Sequence, residues 1–346
     1  MDSIPALRVA QTSSFLEGIA TKVANTRAMG LLQRLGLPDQ PPAGQGPTTM
    51  ANPPADTPER PAMKPAPIAS NPASTEPQAQ VIAFANQKGG VAKTTTTLNL
   101  AVAFAEKGHR VLAIDMDPQG NLTMSQGIDP DSVEKSMYDV LVHHHPIRDV
   151  IRKREVDVAC SSIDLAGAEI AMSTQIGRER SLQKALKTVA TDYDFVCIDT
   201  PPSLGLLTVN ALTAANKVIV PVQCEYLSMR GLIQLQNTLS MIREELNPNV
   251  EIEGILPTLV DSRTTHAKEA IEILEENFGD RVFATRIRKT IRFAEAPVKG
   301  TSVLKYDPDG TAAESYRELL GLDLIRGERH GISSIRRNVP VKLSAR

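Results

Sequence analysis

With 346 residues and a net charge of −2, the chain is long enough to bury a sizeable core, and it is not a nucleic-acid binder that is basic all over. No apolar run is long enough to cross a bilayer and no secretory leader is visible, so a cytoplasmic protein is expected. The three cysteines, Cys160, Cys197 and Cys224, stand far apart with no Cys-x-x-Cys pair, as reduced thiols do in cytosolic proteins.

Residues 1–37 place Phe15, Ile19 and Val23 at helical spacing, with Leu31, Leu32 and Leu35 behind them. This short amphipathic segment reads as a partner-binding helix or a small dimerisation element. Its few basic residues make a membrane-surface helix the weakest of the readings. Residues 38–80 are crowded with Pro, Ala, Ser and Thr and hold almost no large apolar side chains. They cannot bury a core, so a disordered linker is expected. A globular domain is expected over 81–325, followed by a basic tail over 326–346.

The domain opens on an apolar strand, Val81-Ile82-Ala83-Phe84-Ala85, and a helical pattern covers residues 95–106. Between them stands Lys88-Gly89-Gly90-Val91-Ala92-Lys93-Thr94-Thr95. Strand, Gly-rich loop, Lys-Thr and helix form the phosphate cradle of a P-loop nucleotide-binding protein. Glycines let backbone N–H groups turn towards an anion, and the helix N-terminus adds partial positive charge. Lys93 is placed to reach the β- and γ-phosphates, and the Thr94 hydroxyl to ligate Mg²⁺. The loop departs from the usual Gly-x-x-x-x-Gly-Lys-Ser/Thr pattern and begins with a second lysine, Lys88.

Further along, Arg110-Val111-Leu112-Ala113-Ile114-Asp115, Phe195-Val196-Cys197-Ile198-Asp199 and Lys217-Val218-Ile219-Val220-Pro221-Val222 are short runs rich in branched residues. Glu253-Gly254-Ile255-Leu256-Pro257-Thr258 is a weaker fourth. Helical patterns fall over 180–191, 231–246 and 267–278. Such alternation predicts an α/β fold, a P-loop NTPase with a mostly parallel sheet covered by helices on both faces. Asp115 and Asp117 close one strand within Asp115-Met116-Asp117-Pro118-Gln119-Gly120-Asn121, where a carboxylate can orient water or a metal-bound water; the same residues also favour a plain turn. Asp199 ends another strand before Thr200-Pro201-Pro202, which describes a Walker B carboxylate that holds Mg²⁺ through water.

From Gln87 to Thr95 the chain resembles the deviant Walker A box of the ParA/MinD family of ATPases. The resemblance runs on through Asp115 to Asn121, Asp199-Thr200-Pro201-Pro202-Ser203, Pro221-Val222-Gln223-Cys224-Glu225-Tyr226, Asp261-Ser262-Arg263-Thr264 and Glu295-Ala296-Pro297. It covers residues 81–322 and is specific for the ParA branch. It implies that Gly89, Gly90, Val91, Ala92, Lys93, Thr94 and Thr95 bind ATP, and that Thr94, Asp115 and Asp199 serve Mg²⁺. It also implies that Asp117 positions the attacking water and that Lys88 reaches the other subunit's phosphates in an ATP-dependent homodimer. Ala92 stands where many members carry Gly, and its methyl is tolerated if the residue avoids positive φ.

Residues 281–305 carry Arg281, Arg286, Arg288, Lys289, Arg292, Lys299 and Lys305 against one acid, Glu295. A basic edge poor in aromatics suits phosphate contacts to double-stranded DNA without sequence preference; a merely solvated charged surface is the other reading. The resemblance matches Arg263 and Arg292 to DNA-contacting positions, with Arg288 and Lys289 beside them. It implies a nucleoid-associated partitioning ATPase released from DNA by a ParB-type partner. A MinD-like membrane-cycling regulator is the alternative, and the lack of an apolar stripe over 326–346 favours a protein without a membrane partner. An iron–sulfur relative would need cysteines spaced for a shared cluster, which these are not. The run His143-His144-His145 reads as a polar loop, since consecutive residues do not converge on one ion.

Overall fold

The computed structural model describes residues 79–224, 228–261 and 263–324. The amphipathic segment, nearly all of the linker, the basic tail, Glu225-Tyr226 and Ser262 lie outside the described residues. Strands β1 (Gln80–Phe84), β2 (Val111–Asp115), β3 (Ile151–Lys153), β4 (Asp157–Ala159), β5 (Phe195–Asp199), β6 (Lys217–Gln223) and β7 (Glu251–Thr258) form one sheet. Their order is β3-β4-β2-β5-β1-β6-β7. Every neighbouring pair is parallel except β3 with β4.

The expected strands are all present, and β5 has the expected ends. Gln80, assigned to the linker from sequence, already belongs to β1, because its N–H donates to the Asp194 carbonyl at 2.9 Å. Strands β3 and β4 were not anticipated. Each has three residues, too short to show an alternation, and β3 is a charged edge strand carrying Arg152 and Lys153.

Helices cover both faces, as the near-continuous apolar strands require. One core cluster takes Ala83, Leu112, Ile114, Val196, Ile198, Val218 and Val220. The other takes Ile82, Phe84, Ala113, Cys197 and Ile219, and packs on Leu100, Val102 and Phe104 of helix α1 (Lys93–Glu106). The predicted helix over 180–191 is shorter, spanning Ser181–Lys187. Beyond it the Thr188 hydroxyl bonds the Ala185 carbonyl at 2.7 Å and Val189 N–H bonds Leu186, which tightens the chain out of the α-helix. No described helix is long and apolar enough to cross a membrane.

Register decides where the chemistry collects. Asp199 on β5 stands level with Asp115 on β2 and with Phe84 at the end of β1. The loop after β1 and both carboxylates therefore share the carboxyl edge of the sheet, where open α/β sheets hold ligands. Gly254 in β7 has a separate duty: a Cβ there would sit 2.3 Å from the Phe283 ring. Gly254→Ala is expected to destabilise the protein by about 2 kcal/mol through overpacking. A fall of about 4–8 °C in the thermal midpoint checks this, and an unchanged midpoint would show that the ring yields freely.

Candidate nucleotide-binding site

The glycine loop is tied down at its start and at its middle. Asn86, buried just past β1, donates from Nδ2 to the Pro221 carbonyl of β6 at 2.8 Å and accepts the Lys88 N–H at 3.0 Å. Farther on, the Val91 carbonyl accepts the Thr258 hydroxyl of β7 at 2.9 Å. Between these anchors Gly89 and Gly90 are exposed, and Gly90 has φ of 73°. Ala92 has φ of 62° and ψ of 35°, the left-handed region. Ala92 therefore does not meet the condition under which its methyl is tolerated freely, a backbone clear of positive φ. Its carbonyl must turn to accept the Thr96 N–H at 2.9 Å and open α1, and that turn needs the left-handed backbone here.

Lys93 is buried, and its Nζ donates to the Lys88 carbonyl at 3.2 Å. Burial lowers its pKa, while the charges of Asp199 and Asp117 pull it back up. The Thr94 hydroxyl donates to Asp199 Oδ2 at 2.6 Å, the short bond of a hydroxyl on a carboxylate. Thr97, one turn along, adds a longer contact of 3.4 Å to Asp199 Oδ1. Burial drives the Asp199 pKa upward, and the neighbouring charge of Asp115 adds to the rise.

Asp115 is wholly buried, which pushes its carboxyl up to about 6 against three donors. These are the Thr123 hydroxyl at 2.7 Å, the Thr123 N–H at 2.9 Å and the Asp117 N–H at 3.2 Å. Both its oxygens are thus taken up by its own loop, whereas Asp199 faces the P-loop. Asp117 is buried, and its Oδ1 accepts the Gln119 N–H at 3.0 Å. Three carboxylates stand near one buried ammonium, so the site carries surplus negative charge. Hard oxygen donors with that surplus fit Mg²⁺, for which Thr94 and Asp199 are the residues in place.

The comparisons agree with this geometry. A family model described as an AAA domain matches residues 79–252. The sporulation initiation inhibitor protein Soj of Bacillus subtilis is 46% identical over 243 residues, covering 69% of this chain and 96% of Soj. The chromosome partitioning protein ParA of Myxococcus xanthus is 40% identical over 261 residues, covering 73% of this chain and 92% of that protein. The chain belongs to the ParA family of P-loop ATPases. A solved structure described as cobyrinic acid a,c-diamide synthase from Mycobacterium smegmatis, holding an ATP analogue and magnesium, is 40% identical with a TM-score of 0.65. It covers 72% of this chain and 96% of that one.

In this ParA-family chain the expected DNA-contacting residues fall into two groups. A parallel bridge joins Val260 to Arg288, and Lys289 N–H bonds the Val260 carbonyl at 3.2 Å. That bridge brings Arg263 beside Arg288 and Lys289, all three exposed. Arg263 forks onto Asp261 at 2.9 and 2.8 Å, which holds the Asp261 carboxyl down to about 2. Arg292 lies apart, on helix α2 (Arg292–Val298), paired with Glu295 at 2.7 Å and Asp307 at 3.2 Å. Arg286 is paired with Glu275 and bonds the Phe283 carbonyl, so it braces the fold. The excess of base over acid read along 281–305 is thus softened by acids from elsewhere in the chain.

Sequence reasoning missed Asn86, Thr97, Thr123, Ser161 and Thr258. Only Thr97 left a trace in the pattern, one helical turn after Lys93. A cavity of about 620 Å³ lies at the other end of the sheet, lined by Arg110, Arg148, Lys153 and Tyr193. Arg110 is paired with Asp194 and Arg148 with Asp192 there, so it offers no concentrated charge for a phosphate. The cysteines are buried, and burial raises the thiols of Cys160 and Cys224 to about 11, unsuited to a thiolate nucleophile.

The strain at Ala92 has a measurable sign. A left-handed alanine costs about 1–2 kcal/mol, and glycine's extra unfolded-state freedom offsets about 0.5–1 kcal/mol of that. Ala92→Gly is therefore expected to raise the thermal midpoint by about 2 °C without nucleotide. A lower midpoint would show that the residue is relaxed.

Proposed function

We propose that this ParA-family chain is a DNA-partitioning ATPase whose Mg-ATP-bound homodimer holds double-stranded DNA without sequence preference. One observation carries the reading: Thr94 lies 2.6 Å from Asp199 with Lys93 buried beside them, at the end of a loop that starts with Lys88. In the cycle Lys93 neutralises the β- and γ-phosphates, while Thr94 and Asp199 would hold Mg²⁺, which would supply positive charge against the leaving phosphate oxygen. Asp117 orients the attacking water, and Asp115 fixes the loop that carries it.

Lys88 is offered in trans to the phosphates bound by a second copy. Burying a triphosphate between two subunits demands extra cations, so closure depends on the γ-phosphate. Support for the DNA partner is the exposed group of Arg263, Arg288 and Lys289, with Arg292 exposed on a separate helix. The chromosome partitioning names of the ParA relatives support a ParB-type partner that stimulates hydrolysis and frees the ATPase. The cycle places the protein in the cytoplasm on nucleoid DNA.

The test is DNA retention with no nucleotide, ADP, ATP and a non-hydrolysable ATP analogue. Retention is expected only with ATP and the analogue, falling steeply with salt as phosphate contacts do. Lys93→Ala is expected to lose ATP binding and retention together; ATP-dependent retention in this variant would reject the mechanism. Asp117→Ala should bind ATP and stay on DNA while hydrolysing at least about 100-fold more slowly. Sedimentation with anionic liposomes in place of DNA retention would turn the assignment to a membrane-cycling regulator.

A further inference from the structure

We infer that Ser161 is a positioning residue for hydrolysis, clamping the loop that carries Asp117 against the neighbouring strand. This rests on Asp117 being the carboxylate that orients water. Ser161 stands two residues past β4, 44 residues from Asp117 in the chain, and is wholly buried. Its hydroxyl donates to the Asp117 carbonyl at 2.7 Å. Its N–H donates to the Thr123 hydroxyl oxygen at 3.0 Å, and that hydroxyl in turn donates to Asp115 Oδ2 at 2.7 Å.

The other bonds around Asp117 are mostly local. Gln119 N–H meets its carboxylate and Gly120 N–H meets its carbonyl at 2.9 Å, both from within the same turn. Those bonds shape the turn without fixing it against the sheet. Met116 N–H secures the β5 side by bonding the Asp199 carbonyl at 3.0 Å. Ser161 secures the β4 side. A carboxylate that must hold water in line with a phosphate tolerates little drift, since misplacement of about 1 Å costs up to about 100-fold in rate.

Removing the hydroxyl is a clean perturbation. In Ser161→Ala the Asp117 carbonyl keeps its bond from Gly120, and the backbone bond from residue 161 to Thr123 remains. No buried acceptor is stranded, so folding is little affected while the loop gains freedom. Hydrolysis should suffer and nucleotide binding should not, because Lys93, Thr94 and Asp199 lie on other elements.

The test uses the full chain with Mg-ATP, reading turnover, affinity for a non-hydrolysable ATP analogue and the thermal midpoint. Ser161→Ala is expected to slow turnover about tenfold with analogue affinity kept within about twofold. In an Asp117→Ala background the same change should leave the residual rate alone, because the clamp acts only through Asp117. Wild-type turnover in Ser161→Ala overturns the inference. So does a parallel loss of analogue affinity, or the same tenfold loss without the Asp117 carboxylate. Should Ser161→Ala not fold, Ser161→Cys keeps a weaker donor in place and must turn over more slowly at unchanged affinity; a wild-type rate there also overturns it. If Asp117→Ala itself turns over normally, the underlying reading of Asp117 fails. A slow Asp117→Ala beside a fast Ser161→Ala removes this inference alone.

Discussion

Crowded negative charge at the carboxyl edge of the sheet is the constraint on which the structure depends. Asp115 and Asp199 are fully buried neighbours in register, and Asp117 follows within the same turn. Isolated carboxylates do not survive such burial ionised. Here the cost is met by aimed donors from Thr94 and Thr123 and by the ammonium of Lys93. Burial still pushes both carboxyls above the usual carboxylate range, so this compensation is partial. A divalent cation completes it, and a phosphate chain then balances the cation. Folding leaves the site short of positive charge, and the ligand fills that deficit.

Rigidity around the glycine loop follows from the same edge. Asn86 fastens its start to β6 and Thr258 fastens its middle to β7. A loop of exposed glycines held between two buried anchors has little left to order when an anion arrives. Those anchors also explain how Ala92 stays in a strained backbone, since local strain persists where surrounding structure over-determines it.

The basic edge obeys different physics. Its ion pairs are exposed, with the Arg263 side chain 87% accessible in its pair with Asp261. Pairs of that kind are weak in water and are readily exchanged for other anions. An arginine resting on a carboxylate in this way can move to another anion at small cost. The chain keeps its buried, fixed charges and its solvated arginines on separate elements.

Sequence by itself determined the fold class, five of the seven strands and the place of Lys93, Thr94 and Asp199 at one edge of the sheet, because strand patterns and P-loop chemistry are written in neighbouring residues. It could not find the short β3–β4 hairpin, whose three-residue strands carry no periodic signal. Nor could it set the backbone of Ala92, which is imposed by anchors on β6 and β7. The partners of Arg286 and Arg292, and the bond from Ser161 to Asp117, were equally invisible. Each depends on residues brought together by sheet register and crossover, and a hydrogen bond between groups far apart in the chain leaves no spacing to read.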